Sequence, residues 1–302
     1  MVSVIIPVYN AEKTIGRAIK SVINQAYVHQ LILVNDASTD NSSSLITYFK
    51  DKYFLPDRGV KLDIIHLKTN EGVSVARNKG LEYVLSPFMT FLDADDEFLP
   101  RRFCEDVPLL LGNETIVGIY APVQIVYDDR DAQINHQKVS NEKEWIGAIK
   151  EDNTSLFSKF LGCRDQYFLL SGLLIRTRSI SQIGFFDPRL LFCQDTDWLL
   201  RVNAAFLLLP SENKIPTIKI WRHAKNRILT PSLPAKFRLK MLWNWLPFVL
   251  TRNDFTFKQR FFYINSLLEI PEEFQQSKKS KMLRAIKWLV RNPRVFKWLL
   301  KG

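Results

Sequence analysis

The first hundred residues alternate short apolar runs with amphipathic segments, and this alternation constrains the fold more than any other property of the chain. Val2–Val8 is a continuous run broken by Pro7, and residues 11–25 place Ile15, Ala18, Ile19, Val22 and Ile23 on one helical face. Residues 30–34 form a second β-branched run ending at Asn35-Asp36, and Ser38-Thr39-Asp40-Asn41 supplies helix-start chemistry for the segment through Phe49. A third strand over 62–67, a helix over 72–84 and a fourth strand over 87–92 follow. Wholly apolar strands separated by helices predict a parallel sheet covered on both faces. Right-handed crossovers then bring the carboxyl ends of strands one, two and four to one edge, where such sheets bind ligands. Tyr9, Asp36 and an acidic cluster all fall at that edge.

The cluster is Asp93-Ala94-Asp95-Asp96, where the fourth strand ends in three carboxylates within four positions. Like charges this close repel, so something must offset them. A divalent cation carrying a pyrophosphate would do so, because hard cations take carboxylate oxygens and share their remaining positions with phosphates. An acidic turn after a buried strand is the other reading. The turn after strand one, Pro7-Val8-Tyr9-Asn10-Ala11, holds no glycine, which disfavours both NAD binding and a nucleotidyltransferase triphosphate loop. An aspartyl-phosphate phosphatase would carry its acidic pair after the first strand, not the fourth.

Beyond the cluster, residues 115–127 read as strand and 128–151 as a polar insertion ending in a short helix around Trp145. Residues 169–175 read as a buried strand, and 199–209 as a largely apolar helix. With 302 residues, 46% hydrophobic and 24% charged, the chain has an ordinary globular balance. No run reaches bilayer length and nothing resembles a cleavable signal peptide, so a cytoplasmic location is expected. Cys104, Cys163 and Cys193 lack paired spacing and are expected to be reduced.

Five motifs, in their order, resemble the family 2 glycosyltransferases. They are Val4-Ile5-Ile6-Pro7-Val8-Tyr9-Asn10, Val34-Asn35-Asp36-Ala37-Ser38-Thr39-Asp40, the stretch from Asn70 through Ala76-Arg77-Asn78-Lys79-Gly80, Asp93-Ala94-Asp95-Asp96, and Gly184-Phe185-Phe186-Asp187 with Gln194-Asp195-Thr196-Asp197. The resemblance covers roughly residues 1–225. It implies a GT-A fold: a Rossmann-like, mostly parallel α/β sheet flanked by helices. It also implies a nucleoside-diphosphate sugar donor, a divalent cation (Mn2+ or Mg2+) and inversion at the anomeric carbon. Residues 1–100 would be the donor-binding half and 101–225 the acceptor-binding half.

The resemblance assigns Asp95, with Asp93 nearby, to the metal, Asp93 also to the donor nucleotide, and His223 to the metal or pyrophosphate, although a lone histidine is more often a structural residue. Asp36 would hydrogen-bond the base, against the alternative of a helix-entry turn residue, a capping role that Asp40 or Ser38 could fill without it. Pro7 and Tyr9 would wrap the nucleoside, with Tyr9 also open to simple packing. Arg77 and Asn78 would contact phosphate or base, against the alternative of a helix-surface arginine. Asp195 would be the catalytic base. Gln194, Asp197 and Trp198 would meet the acceptor, although Asp197 could instead hold the local loop and Trp198 could pack. The family commonly has Glu-Asp where this chain has Gln194-Asp195, which bears on acceptor recognition.

Charge is uneven. Residues 1–213 hold 22 Lys and Arg against 27 Asp and Glu, whereas residues 214–302 hold 20 against 4. Residues 226–302 read as a basic amphipathic helical extension, with helices over 236–246 and 281–290 and a short final helix opened by Asn292-Pro293. Their faces suit an anionic membrane surface or docking on the catalytic domain. Nucleic acid is not expected. A processive synthase is disfavoured, because it would carry membrane spans and a Gln-x-x-Arg-Trp motif. The expected activity is metal-dependent, non-processive transfer to a saccharide or lipid-linked acceptor at the inner membrane face, in cell-surface polysaccharide or glycolipid synthesis. The alternative is a catalytically silent sugar-nucleotide-binding or membrane-scaffold protein of the same fold.

Overall fold

The computed structural model describes residues 1–54, 59–128, 130, 133, 134, 145, 146, 169–223, 232–251, 260, 263, 264, 267 and 291–299. Its centre is a seven-stranded sheet of order β10-β6-β9-β4-β1-β2-β3. β1 (Val2–Val8), β2 (Val28–Asn35), β3 (Lys61–His66) and β4 (Phe88–Phe91) are mutually parallel. β9 (Leu173–Arg176) runs antiparallel to both β4 and β6 (Gly118–Tyr120), and β10 (Leu208–Pro210) closes the edge parallel to β6. The sheet is thus mixed but mostly parallel, as the alternating pattern predicts.

Every residue of β1 is buried, because helices cover both faces. Side-chain alternation along the strand sends Val2, Val4, Ile6 and Val8 to the layer of α1 (Ile15–Ile23) and α2 (Ser42–Tyr53). Ile5 points the other way, into a cluster with α3 (Val73–Leu81) and with Trp198, Leu199 and Val202. Gly80 lets α3 lie close on the sheet, since a Cβ there would clash with the Ile5 side chain. Pro7 costs β1 nothing in its ladder: β4 has ended at Phe91, paired with Ile5, before reaching it.

A second sheet, β5-β11-β7-β8, stands beside the first. β11 (Ile218–Arg222) pairs antiparallel with β5 (Glu97–Phe98) and parallel with β7 (Val123–Tyr127). Three expectations change here. The strand read over 115–127 is two strands in different sheets, with Ala121-Pro122 between β6 and β7. The expected short helix near Trp145 is instead β8 (Trp145–Ile146), antiparallel to β7. The helix read over 199–209 begins earlier, and Leu208–Pro210 leaves it to pair with β6.

Further helices are α4 (Asp106–Gly112), α5 (Ile180–Ile183), α6 (Gln194–Ala205), α7 (Ser232–Thr251) and α8 (Pro293–Leu299). In α7, Met241, Leu242 and Val249 are fully buried and Trp245 nearly so, in the same cluster as Ile5 and Trp198. Tyr263 donates to the Leu242 carbonyl at 2.5 Å. Of the two covers considered for this apolar face, a membrane surface or the body of the protein, α7 therefore has the second. α8 carries Pro293 at its first position, and its Val295 is buried in that cluster too. The helix read over 281–290 lies outside the described residues.

Candidate functional site

At the end of β2, Asp36 is buried and accepts two backbone N–H groups, from Glu71 at 2.8 Å and Gly72 at 2.9 Å. Gly72, at φ 91°, supplies the left-handed turn that aims these groups at the carboxylate. Asp36 therefore anchors the entrance to α3, and its remaining lone pairs are what a base could use. It does not cap α2; Asp40 does, accepting the Ser42 N–H at 2.9 Å. The loops after β1 and β2 are knitted together: Asn10 N–H reaches Ser38 Oγ at 3.1 Å, and Thr39 N–H reaches Asn10 Oδ1 at 2.8 Å. Pro7 is buried in the sheet, whereas Tyr9 stands exposed on the edge.

The acidic turn resolves its repulsion three ways. Asp93 accepts Arg77 Nη2 at 2.8 Å. Arg77 is buried above the Phe186 ring, at 5.4 Å, and so is not a helix-surface residue. Asp95 Oδ2 meets His223 Nε2 at 3.4 Å, with both side chains about a third exposed. The hydrogen bond to Asp95 raises the His223 pKa against the opposing effect of burial. Asp96 is buried and accepts the Trp221 N–H at 3.0 Å. Burial, then the neighbouring charges of Asp95 and Asp93, push its carboxyl well above the usual range.

The ligand set expected from sequence comes together only in part. Asp95 and His223 meet, but Asp93 faces Arg77, and among the described residues no three His, Cys, Asp or Glu side chains converge.

Asp195 lies in the first turn of α6, half-buried, with Oδ1 accepting the Thr196 N–H at 2.8 Å. Cys193 precedes the helix in the left-handed region at φ 60°. Gln194 Oε1 is buried without a hydrogen-bond partner among the described residues. The other two acceptor candidates take the structural one of their two readings. Asp197 is buried, paired with Arg201 at 3.1 Å and accepting Trp245 Nε1 at 2.9 Å, so it fastens α7 to α6. Trp198 is fully buried, stacked on Phe186 at 5.0 Å and edge-on to Phe91 at 5.7 Å. Its indole donates to the Gly184 carbonyl at 3.0 Å. No face of it is left for a sugar.

Asn78 is likewise spent on the protein, bonded through both amide atoms to the Phe186 backbone. Through Trp198 and Phe186, the start of α6 is anchored to the end of β4, two residues before Asp93. Sequence reasoning missed Arg17, whose Nη2 donates to the Asp95 carbonyl at 2.6 Å. On the sequence it is only a residue of the polar side of α1.

The family model described as glycosyl transferase family 2 matches residues 3–171. An uncharacterized glycosyltransferase of Haemophilus influenzae is 39% identical over 124 residues, 40% of this chain and 47% of that protein. The putative teichuronic acid biosynthesis glycosyltransferase TuaG of Bacillus subtilis is 31% identical over 173 residues, 51% of this chain and 66% of that protein. A third relative, of Escherichia coli, is a UDP-Glc:alpha-D-GlcNAc-diphosphoundecaprenol beta-1,3-glucosyltransferase, WfgD, 33% identical over 147 residues, 42% of this chain and 54% of it. Among solved structures, S. aureus TarS 1-349 in complex with UDP-GlcNAc aligns with TM-score 0.63 at 14% identity, over 94% of this chain and 79% of that one. The mannosyltransferase PcManGT from Pyrobaculum calidifontis, in complex with GDP-Man and Mn2+, aligns with TM-score 0.56 at 14% identity, over 99% and 85%. The sheet order, the site at its carboxyl edge and the match over more than half its length agree: the chain has a GT-A-like fold and belongs to glycosyl transferase family 2.

Proposed function

We propose that this protein is an inverting, metal-dependent, non-processive glycosyltransferase that moves a sugar from a nucleoside-diphosphate donor to a hydroxyl of a saccharide or lipid-linked acceptor. The observation that carries this is the meeting of Asp95 and His223, both part-exposed, at the carboxyl end of β4. A carboxylate oxygen and an imidazole nitrogen on an open edge suit Mn2+ or Mg2+ with positions left for diphosphate oxygens. When bound there, the cation supplies charge neutralisation for the departing diphosphate. Asp36 and Tyr9 line the nucleoside side of this edge.

Asp195 is assigned the proton. Its carboxylate takes the proton of the acceptor hydroxyl as that oxygen bonds to the anomeric carbon. The bond from carbon to diphosphate oxygen breaks on the opposite face, and its electron pair leaves with the nucleoside diphosphate. Such a positioned base contributes about 10²- to 10⁴-fold. Gln194, neutral beside Asp195, is assigned to the acceptor; its buried Oε1 has no hydrogen-bond partner among the described residues. The name of WfgD, whose acceptor is a GlcNAc-diphosphoundecaprenol, supports a lipid-linked acceptor, and that of TuaG, in teichuronic acid biosynthesis, supports a saccharide product.

A place on the inner face of the cell membrane rests on the basic excess after residue 213 and on the exposed Trp243 and Phe248 of α7. Among the described residues no helix is long and apolar enough to cross a membrane. Sedimentation with anionic vesicles tests this placement.

The deciding experiment is donor turnover with Mn2+ or Mg2+ across a panel of nucleoside-diphosphate sugars, comparing wild type with Asp195→Asn. Metal-dependent turnover that falls at least 100-fold in Asp195→Asn is expected. A wild type that binds nucleotide but turns over no donor overturns the enzymatic reading in favour of a silent binding protein.

A further inference from the structure

Arg17 projects from α1 toward the acidic turn, and its guanidinium is committed on two sides. Nη2 donates to the Asp95 carbonyl at 2.6 Å, and the plane lies 4.1 Å from the Trp221 ring centroid. Its Nε is buried without a hydrogen bond among the described residues, a desolvation cost that packing alone would not select. What offsets it is a charge-assisted bond and a cation–π contact.

Both contacts fall on the elements that carry the proposed metal pair. The carbonyl belongs to Asp95 itself. Trp221 lies on β11, which ends one residue before His223, and also donates its N–H to Asp96 at 3.0 Å and its Nε1 to Glu97 at 3.3 Å. Trp221 therefore staples β11 to the acidic turn from one side. Arg17 spans the same junction from a third element, α1.

We infer that Arg17 is a positioning residue that sets Asp95 against His223 by holding the Asp95 main chain to the Trp221 ring, and so tunes metal affinity without touching metal or sugar. This rests on the metal-dependent reading of the site above. Lysine could not replace it fully, because a point ammonium cannot stack its plane and donate sideways at once.

The test titrates Mn2+ into full-length protein holding uridine diphosphate or guanosine diphosphate in parallel, following free Mn2+ by electron paramagnetic resonance. Arg17→Met keeps a stem over Trp221 and removes the bond to Asp95; its Mn2+ dissociation constant is expected to rise about tenfold. Diphosphate binding without metal should stay within about twofold, because Asp36 and the loops around Asn10 are untouched. Arg17→Lys should fall between wild type and Arg17→Met. Lys20→Met, on the same helix and in the same surface cleft, should match wild type.

Wild-type Mn2+ affinity in folded Arg17→Met overturns the inference alone, and equal loss in Lys20→Met does the same by showing a general charge effect. If Arg17→Met does not fold, wild-type affinity in Arg17→Lys overturns it instead. A wild-type protein that takes up no Mn2+ with either diphosphate overturns the functional reading, and this inference with it.

Discussion

Asn78 brackets the peptide of Phe186: its Oδ1 accepts the Phe186 N–H at 2.7 Å, and its Nδ2 donates to the Phe186 carbonyl at 2.9 Å. The residues are 108 positions apart. This pairing joins α3 to the loop before α6. Arg201 Nη1 adds bonds to the carbonyls of Ile183 at 2.9 Å and Phe185 at 2.7 Å, so the loop backbone is clamped by side chains from two helices. Asn78→Ala is expected to lower unfolding free energy by about 1–3 kcal/mol, since two backbone groups lose their partner. Asn78→Asp, which keeps only the acceptor, should fall between. Urea unfolding measures both, and a neutral Asn78→Ala would count against the clamp.

Trp198 separates a packing role from a sugar-stacking one. With the ring fully buried among Phe91 and Phe186, Trp198→Ala should cost about 3–5 kcal/mol of stability. Trp198→Phe should keep most of the packing and leave the acceptor KM unchanged once folded. A selective rise in acceptor KM with stability intact would return Trp198 to the acceptor site.

The docking of α7 turns on Trp245, whose Nε1 donates to the buried Asp197. Trp245→Phe loses a hydrogen bond to a charged group, worth about 1.5–3 kcal/mol. Denaturation in the absence of lipid is the measurement. If α7 were a detachable membrane element, Trp245→Phe would leave that transition where it is.

Asp187 provides a pH test. Arg189 donates from Nε and Nη2 to its two oxygens at 2.9 Å each, and this, against partial burial, holds the Asp187 carboxyl below the usual carboxylate range. Because the folded pKa is depressed, the contribution to stability is present above the unfolded value of about 3.9. It is lost as pH falls through the folded value. Arg189→Met should therefore be slightly less stable than wild type near neutral pH, with the gap closing in acid. Carboxyl carbon chemical shifts should show Asp187 titrating higher in Arg189→Met. An unchanged titration would mean that the pair is formed only transiently in solution.

The sequence by itself determined the half of this fold built from local pattern. Short, largely apolar runs specify β1, β2, β3 and β4, and helical periodicity specifies α1, because both signals are read within a few residues. The ordered motifs located the carboxyl edge and its acidic turn for the same reason. Tertiary structure decided what each polar residue does there. Whether Asp93 faces Arg77 or joins Asp95 and His223, and whether Asn78, Asp197 and Trp198 meet ligand or protein, depends on partners tens to hundreds of positions away. A single chain carries no local signal for such partners. The same holds for the basic helix α7: its amphipathic face was legible, but only the packed core determined that protein covers it. Burial of apolar surface is non-directional, so pattern announces that a face must be covered, and topology alone chooses the cover.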